Sequence, residues 1–519
     1  MSGSARQNHR CDEGNFGRLG NQMSWNALLK PNALVSVIPA EYACFAEPVA
    51  AALCCFLEGL PFAEQKAILS DQATLPPTAD ISQRLGRLAR CCPVLHKLGQ
   101  VLARDQRLAP ELRAQLCALE SLPASVPLEQ IEALLQQELG ALDGRGVTLQ
   151  PPAIAEASVA VVIPYLDHAH AGAKRRGVFK LLKPGIEDRL ELELTLLERV
   201  GQHLDERCDE LGIPALDYEE SFQQVRQKLL DEVRLGNEQQ HMRQARCFYQ
   251  DDPSVQIPEV FGHCTPRVTA MEFLEGGKVT DHRLESPRDR RRLAHKALKA
   301  LITKPIFSPD SAALFHGDPH PGNLFLTTDH RVGILDWSLV GRLRQNERER
   351  IVEMILAAVT LDSERLFRLL VDMSQHTRLN HATARQLACE WIQKVRRGQW
   401  PGLGWLLGLL DEAVQTARLR VDADLMLFRK SLYTLEGVVS GIGVDQRCRD
   451  DVLCSEFLRH LAAEWPRRWF TQPSSRTFAT GLSNLDLAAT WLSLPLAATR
   501  YWSETACDIW NPAVLPENS

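Results

Sequence analysis

Residues 314–326 read LFHGDPHPGNLFL and residues 334–341 read ILDWSLVG, and the fold turns on reading these two stretches together. Two histidines and an aspartate suit a metal site. Pro319, Pro321 and Gly322, crowded between apolar runs, suit a plain turn. A third reading is a phosphotransfer loop, because Asn323 follows Asp318 by five residues and Asp336 follows Asn323 by thirteen. Kinase loops run His-x-Asp-x-x-x-x-Asn and are followed by a metal-binding Asp on a later strand. Direct transition-metal ligation by His316, Asp318 and His320 would need i, i+2 and i+4 to converge, and no remote His or Cys cluster completes the set. A turn accounts for the prolines but not for the Asp–Asn–Asp spacing. Phosphotransfer is the preferred reading, with His316 as a hydrogen-bonding brace and Pro319, Pro321 and Gly322 shaping the loop.

Phosphoryl transfer from ATP needs few other parts. A strand lysine holds the α/β-phosphates and is oriented by a helix glutamate. Two groups ligate Mg²⁺, and a carboxylate sits near the acceptor hydroxyl. Lys180 lies in GVFKLL (177–182), where strand alternation puts Val178 and Lys180 on one face and Phe179 and Leu181 on the other. Glu232 and Glu238 lie on a later helical stretch. They are six apart and do not share one face closely; Glu232 is the first choice of partner and Glu238 the second. Asn323 and Asp336 are the candidate Mg²⁺ ligands, and Asp318 is the candidate base.

The whole chain sets bounds on this reading. It has 519 residues, enough for two or three domains, with 45% hydrophobic and 24% charged residues, so a buried core is expected rather than disorder. A net charge of −6 argues against nucleic acid as the main partner. Fourteen cysteines without a CxxC pair read as reduced thiols of a cytoplasmic protein. The first residues, MSGSARQNHRCDEGNFGR, lack the apolar run of a signal peptide. LAATWLSLPLAAT (487–499) and PVAAALCCFL (48–57) are each shorter than a membrane span needs and read as buried helices.

Along the chain, a loose tail (1–40) precedes a helical extension (41–150). A small mixed α/β lobe (151–275) follows. Its strands are SVAVVIPYL (158–166), GVFKLL and RVTAMEFL (267–274), with helices near 186–206 and 219–248. A helical lobe (276–465) holds a helix near 287–304, the opening motif, a small hairpin at 324–326 and 332–335, and helices at 346–359, 363–373, 382–397, 423–440 and 451–463. A helical tail (466–519) ends the chain. The fold class is α+β.

At this point the residues resemble a known family. HGDPHPGN with DWSLVGRL resembles the HxDxHPGN and DFGxxGxL motifs of the UbiB/AarF-like atypical kinases. Lys97-Leu98-Gly99-Gln100 is similar to the family's KxGQ signature. AIAEASVA (153–160) is similar to the alanine-rich loop that replaces a glycine-rich phosphate loop. VFKLLKPGI resembles the strand-lysine segment, EVRLGNE fits the pattern that supplies Glu232 and Glu238, MEFLEG resembles the hinge, and LYTLEGVV (432–439) a late helix. The resemblance covers roughly 85 to 465 and implies a protein-kinase-like bilobal fold with a helical extension over the cleft. It implies Mg-ATP binding and hydrolysis, little ordinary protein kinase activity, and a role in ubiquinone or other prenyl-lipid metabolism, often at a membrane. By that resemblance Ala155, Ala157, Ser158 and Glu272 contact ATP, and Lys97 and Gln100 enter the active site as regulatory residues.

Four departures stand out. Glu156 replaces an alanine, and a carboxylate near phosphates repels them unless it points away or meets Mg²⁺ or a lysine. Val161 and Ile163 replace a Gln and a His. Asp336-Trp337-Ser338 replaces Asp-Phe-Gly, so Ser338 lacks glycine's freedom at positive φ. The family's C-terminal membrane pair, seen in some bacterial members, is missing. Two rivals follow. HGDxxxxN with Asp-Trp also resembles aminoglycoside phosphotransferases, which take a soluble small-molecule acceptor but have neither KxGQ nor the alanine-rich loop. A non-catalytic pseudokinase scaffold, binding nucleotide or lipid, would accommodate Glu156 and Ser338. The tail carries Trp465, Trp469, Trp491, Trp502 and Trp510, and its EWPRRWF suits peripheral contact with a membrane interface. The simpler expectation is a tail whose aromatics pack on the large lobe.

Overall fold

The computed structural model describes residues 25–103, 107–121, 126–168, 174–213, 233–281, 286–374, 379–445 and 447–510, together with Phe222, Arg226, Leu229 and Leu230. The chain divides into two compact units, and neither is continuous in sequence. One contains 1–134, 151–163 and 181–233; the other contains 135–150, 164–180 and 234–519.

The first unit is mainly helical. Helices α1 (Ala46–Glu58), α2 (Ile81–Cys91), α3 (Pro93–Leu102) and α4 (Pro110–Cys117) precede the long α5 (Ile186–Glu206). Pro184 and Gly185, the latter at φ 68, halt the preceding strand, and Glu187 and Asp188 suit the positive end of α5. Its Ile186, Leu190, Leu194, Leu197, Val200 and Leu204 recur at helical spacing and are buried. Leu190, Leu194 and Leu197 share a core with Cys54, Phe56 and Leu57 of α1 and Val94 of α3. The continuous stretch Ala40–Glu58 has the length and mean hydropathy (1.4) of a spanning segment, but these core contacts give α1 a role inside the unit. Gly99 lets α3 approach its neighbours, since a Cβ there would meet Leu119 at 2.9 Å and Leu116 at 3.1 Å.

Strands β1 (Val147–Leu149), β2 (Ala155–Glu156), β3 (Ala160–Asp167), β4 (Arg175–Leu182) and β6 (Val268–Glu272) form one sheet, in the order β1-β3-β4-β6 with β2 also on β3. β1 runs antiparallel to β3 with Val147 opposite Asp167. On the concealed face, Tyr165 stacks on Phe179 with centroids 4.1 Å apart. Phe179 and Leu181 are fully buried and Lys180 is not, as the alternation requires.

In the second unit, helix α6 (Leu235–Phe248) is pinned to β6 by Gln239, whose Nε2 donates to Thr269 Oγ1 at 3.0 Å and to Thr265 O at 2.9 Å. A four-stranded sheet, β5 (Val255–Gln256)-β10-β9-β7 (Gly276–Lys278), contains the expected hairpin of β9 (Leu324–Thr327) and β10 (Val332–Ile334). β8 (Ala312–His316) pairs antiparallel with β11 (Val340–Arg344), placing His316 opposite Val340. Helices α7 (Pro287–Leu298), α8 (Gln345–Val359), α9 (Ser363–Met373), α10 (His381–Arg396), α11 (Leu403–Thr416), α12 (Ala423–Gly441), α13 (Arg447–Arg468) and α14 (Asn484–Trp510) complete it. One core joins Phe315, Trp337, Trp405 and Phe428.

The tail corrects the expectation made from sequence. Trp465 (52%), Trp469 (74%) and Trp491 (70%) are exposed rather than packed inward. LAATWLSLPLAAT is likewise no buried helix: it lies in α14, and among its large residues only Leu487 packs against the main core.

Candidate active site

Each part of the site is held by the element that carries it. Lys180 projects from β4 with its side chain 13% exposed. Its Nζ donates to Glu238 Oε1 and Oε2 at 2.7 and 2.8 Å and to Asp336 Oδ2 at 3.4 Å. Glu238 lies in the first turn of α6, where the helix dipole favours a carboxylate, and is 2% exposed. Burial by itself pushes the Lys180 ammonium down; Asp336 and Glu238 more than offset it and hold the group above its ordinary value. Glu238, the second choice from the sequence, reaches Lys180. Glu232 lies outside the described residues.

His316 ends β8 and is 1% exposed. Its Nε2–H donates to the Leu335 and Asp336 carbonyls at 3.0 and 2.8 Å, and its Nδ1 accepts from the Asp318 amide at 3.1 Å. Burial holds its pKa below the ordinary value, which keeps the ring neutral with one donor and one acceptor. The Ser431 hydroxyl of α12 donates to the His316 carbonyl at 2.8 Å. Gly317 is required beside it, because a Cβ would meet Leu339 Cγ at 2.8 Å. His320 Nδ1 accepts from the Gly322 amide at 3.0 Å. Both histidines therefore act within the loop as braces.

Asn323 Nδ2 donates to the Asp318 carbonyl at 3.1 Å, so the amide presents Oδ1 as its remaining acceptor. The Asn323 carbonyl accepts from the Leu335 amide at 2.8 Å, tying the loop to the segment that carries Asp336. Asp336 sits at φ 52, a left-handed conformation that Asp and Asn tolerate better than most residues. Its Oδ1 accepts from the Ser338 amide at 3.2 Å, and its side chain is 37% exposed. The positive φ thus falls at Asp336, and Ser338 is not among the residues that adopt one. Trp337 is fully buried, 4.9 Å from the His316 ring centroid, and its Nε1 donates to the Ile334 carbonyl. Oxygen donors from Asn323 and Asp336 suit a hard cation such as Mg²⁺, which takes one or two protein oxygens and fills its shell with phosphate and water.

The alanine-rich segment belongs to the first unit. Ala155 and Ala157 are exposed, whereas Glu156 and Ser158 are buried, as β2 pairing with β3 dictates. Glu156 Oε1 meets Lys183 Nζ at 2.7 Å, which balances its charge. Lys97 and Gln100 are half-buried on α3, in the same unit. His96 beside them is 2% exposed and its Nε2–H donates to the Leu119 carbonyl at 3.1 Å. Burial, with smaller contributions from Lys183 and Lys97, lowers its pKa to about 4. The Glu272 carboxylate accepts from Gln256 Nε2 at 2.9 Å and from the Glu259 amide at 3.1 Å.

Sequence reasoning missed three polar residues here. Lys183 lies three positions beyond Lys180, a spacing that alone reads as a surface charge. Lys430 Nζ lies 3.9 Å from Asp318 Oδ1, and Ser431 holds the loop from a helix over a hundred residues away. No motif marks these two.

A strand lysine clasped by a helix carboxylate, an Asp-x-x-x-x-Asn loop and an Asp after the next hairpin define a protein-kinase-like fold. Residues 119–370 match the ABC1 atypical kinase-like domain. An uncharacterized protein of Synechocystis is 28% identical over 378 residues, covering 70% of this chain and 90% of that protein. A probable protein kinase UbiB of Azotobacter vinelandii is 26% identical, covering 67% of this chain and 65% of that one. An uncharacterized chloroplastic aarF domain-containing protein kinase of Arabidopsis thaliana is 30% identical, covering 54% and 52%. The chain thus spans less than two thirds of the latter two relatives. Residues 119–370 therefore resemble an ABC1 atypical kinase-like domain, and the chain is similar to UbiB and aarF domain-containing kinases.

Proposed function

We propose that the chain binds Mg-ATP and either hydrolyses it or transfers its γ-phosphoryl group to the hydroxyl of a non-protein acceptor. The observation that carries this reading is Lys180 Nζ held by Glu238 at 2.7 Å with Asp336 Oδ2 at 3.4 Å. A cation fixed in this way is a pre-formed contact for the α/β-phosphates. Asn323 and Asp336 would hold Mg²⁺, which supplies charge neutralisation on the transferring phosphate. Asp318 takes the proton from the attacking water or acceptor hydroxyl as the new P–O bond forms, and the bond to ADP breaks. His316, Asn323 and Ser431 fix the loop so that Asp318 needs no reorganisation.

Two observations support catalysis over a passive scaffold. Glu156 is neutralised by Lys183, and Ser338 is spared the conformation that only glycine adopts freely. The resemblance to the UbiB/AarF family favours an isoprenoid-lipid or quinone-related acceptor. Phosphate release from Mg-ATP, measured with and without lipid vesicles and prenylated quinone precursors, tests both halves. Turnover stimulated by the prenylated compounds is expected. Nucleotide binding with no turnover under any condition would leave a scaffold, and phosphorylation of a soluble small molecule instead would favour a small-molecule phosphotransferase.

A further inference from the structure

Helix α7 does not end as an ordinary α-helix. Lys299–Thr303 continue it as a π-helical turn, in which the Lys304 amide donates to the Lys299 carbonyl, five positions back. Pro305 accounts for the change. It has no N–H, and its ring crowds the carbonyl four positions earlier, so the turn before it widens. The widening decides which side chains share a face. On an α-helix, positions five apart diverge by about 140°. A turn closed from i to i+5 brings Lys299 and Lys304 nearly into line.

Both lysines line a cavity of about 400 Å³, a volume that suits a small molecule. Phe248 at the end of α6, Phe307, and Arg459 and His460 of α13 line it too. Lys304 Nζ lies 5.4 and 5.5 Å from the Phe248 and Tyr249 ring centroids and, among the described residues, forms no ion pair. Its N–H donors are left for a ligand. Lys299 Nζ stands 4.0 Å from Glu456 Oε1, and Arg459 Nη2 donates to Glu456 Oε2 at 2.6 Å, so two cations meet one carboxylate. Arg459 also donates to His460 Nε2 at 3.0 Å. That bond puts the ring proton on Nδ1, and burial, with Arg459, holds the imidazole pKa below its ordinary value. The His460 ring lies 5.4 Å from that of Phe307. Three more carboxylates complete the lining. Asp252 Oδ1 accepts from the Ser254 amide and hydroxyl, while Asp251 and Asp310 are exposed to water, which screens them.

Two ammonium groups and an imidazole N–H are single-point donors, and they suit a tetrahedral oxyanion. A planar carboxylate pairs best with the two-pronged guanidinium, and Arg459 already holds one. Phe248 and Phe307 give a flat carbon skeleton an apolar wall. We propose that this cavity is a second ligand site, built for a small aromatic phosphomonoester. Tyr249, beneath Lys304, donates to the Ala300 carbonyl inside the π turn at 2.9 Å and sets its ring 6.1 Å from that of Trp337, the residue after Asp336. The inference is independent of the phosphotransfer reading.

Calorimetric titration of the full chain with phenyl phosphate, joined to hydrogen exchange, tests it. Saturable binding is expected, with amide exchange slowed over 299–304 and 456–460. Lys299→Gln/Lys304→Gln should weaken binding at least about tenfold, and Lys304→Gln alone, which breaks no ion pair, at least about threefold. Benzoate should bind wild type at least about tenfold more weakly than phenyl phosphate does. Circular dichroism confirms the fold of each variant. The proposal is overturned by an absence of saturable binding, by protection confined to 316–336, or by folded variants that bind as tightly as wild type. Benzoate binding as tightly as phenyl phosphate removes the phosphate assignment and overturns it too.

Discussion

Glu238 reaches Lys180 Nζ with both carboxylate oxygens, at 2.7 and 2.8 Å, across 58 residues of chain. Glu238 is nearly fully buried, so removing Lys180 takes away the cation that balances its charge. Lys180→Met should destabilise the fold by about 3–5 kcal/mol, the cost of an uncompensated buried charge. Lys180→Met/Glu238→Gln should recover most of that loss without recovering nucleotide binding. Thermal unfolding of Lys180→Met, Glu238→Gln and the double variant, read beside ATP titration, gives the coupling. Two single-variant effects that simply add would remove the pair from the account.

Asp336 and Ser338 make a second, sharper test. The left-handed φ lies at Asp336, and Ser338 contributes its amide to Asp336 Oδ1. Restoring the family's glycine by Ser338→Gly should change phosphate release less than about twofold and lower stability by roughly 0.5–1 kcal/mol through backbone entropy. A tenfold rise in turnover would show that serine restrains the segment after all.

Lys183 shields the alanine-rich segment by pairing with Glu156 at 2.7 Å. Lys183→Met removes this ion pair and should weaken ATP binding by about tenfold, through the repulsion of like charges. Lys183→Met/Glu156→Ala should bind ATP nearly as wild type does. Nucleotide titration of both variants decides it, and equal loss in both would mean that Lys183 contacts the nucleotide directly.

Glu193 gives the fold a pH dependence. It is buried on α5, accepts from the Val94 amide at the start of α3 at 2.9 Å, and receives Arg189 Nε at 3.2 Å. Burial outweighs these partners and raises its pKa to about 7, with Glu64 adding to the rise. A carboxyl whose folded pKa lies above its unfolded value near 4.5 binds protons more tightly when folded. Its stabilising contribution is therefore complete below about 4.5 and is lost as pH rises through about 7. Relative to Glu193→Gln, wild type should gain on the order of 2–3 kcal/mol between pH 8 and pH 5. His96 titrates in both proteins and cancels from the comparison. Parallel melting curves at the two pH values would contradict the assignment.

Much of this was legible before any coordinates. The helix expected at 186–206 spans Ile186–Glu206, because apolar spacing and the Pro-Gly stop act locally. The hairpin at 324–334 announced itself by two short apolar runs flanking a polar turn. What escaped depends on distant contacts. The β8–β11 ladder joins segments whose short runs carry no strand signal of their own. Spacing ranked Glu232 ahead of Glu238, whereas the contact of Glu238 with Lys180 depends on how α6 is seated against β6. The tail was misread because apolar residues at helical spacing fit an inward face and an outward one equally. Only the inward ion pairs of Asp486 and Arg500 fix the sense.

Mg²⁺-dependent phosphate release by wild type and Asp336→Asn tests phosphotransfer most directly. Asparagine tolerates the same left-handed backbone, so the substitution removes charge while keeping the turn. The account predicts turnover by wild type, a loss of at least about a hundredfold in Asp336→Asn, and an unchanged circular dichroism spectrum. Equal release by the two proteins, or none by wild type with saturating Mg-ATP bound, would contradict it.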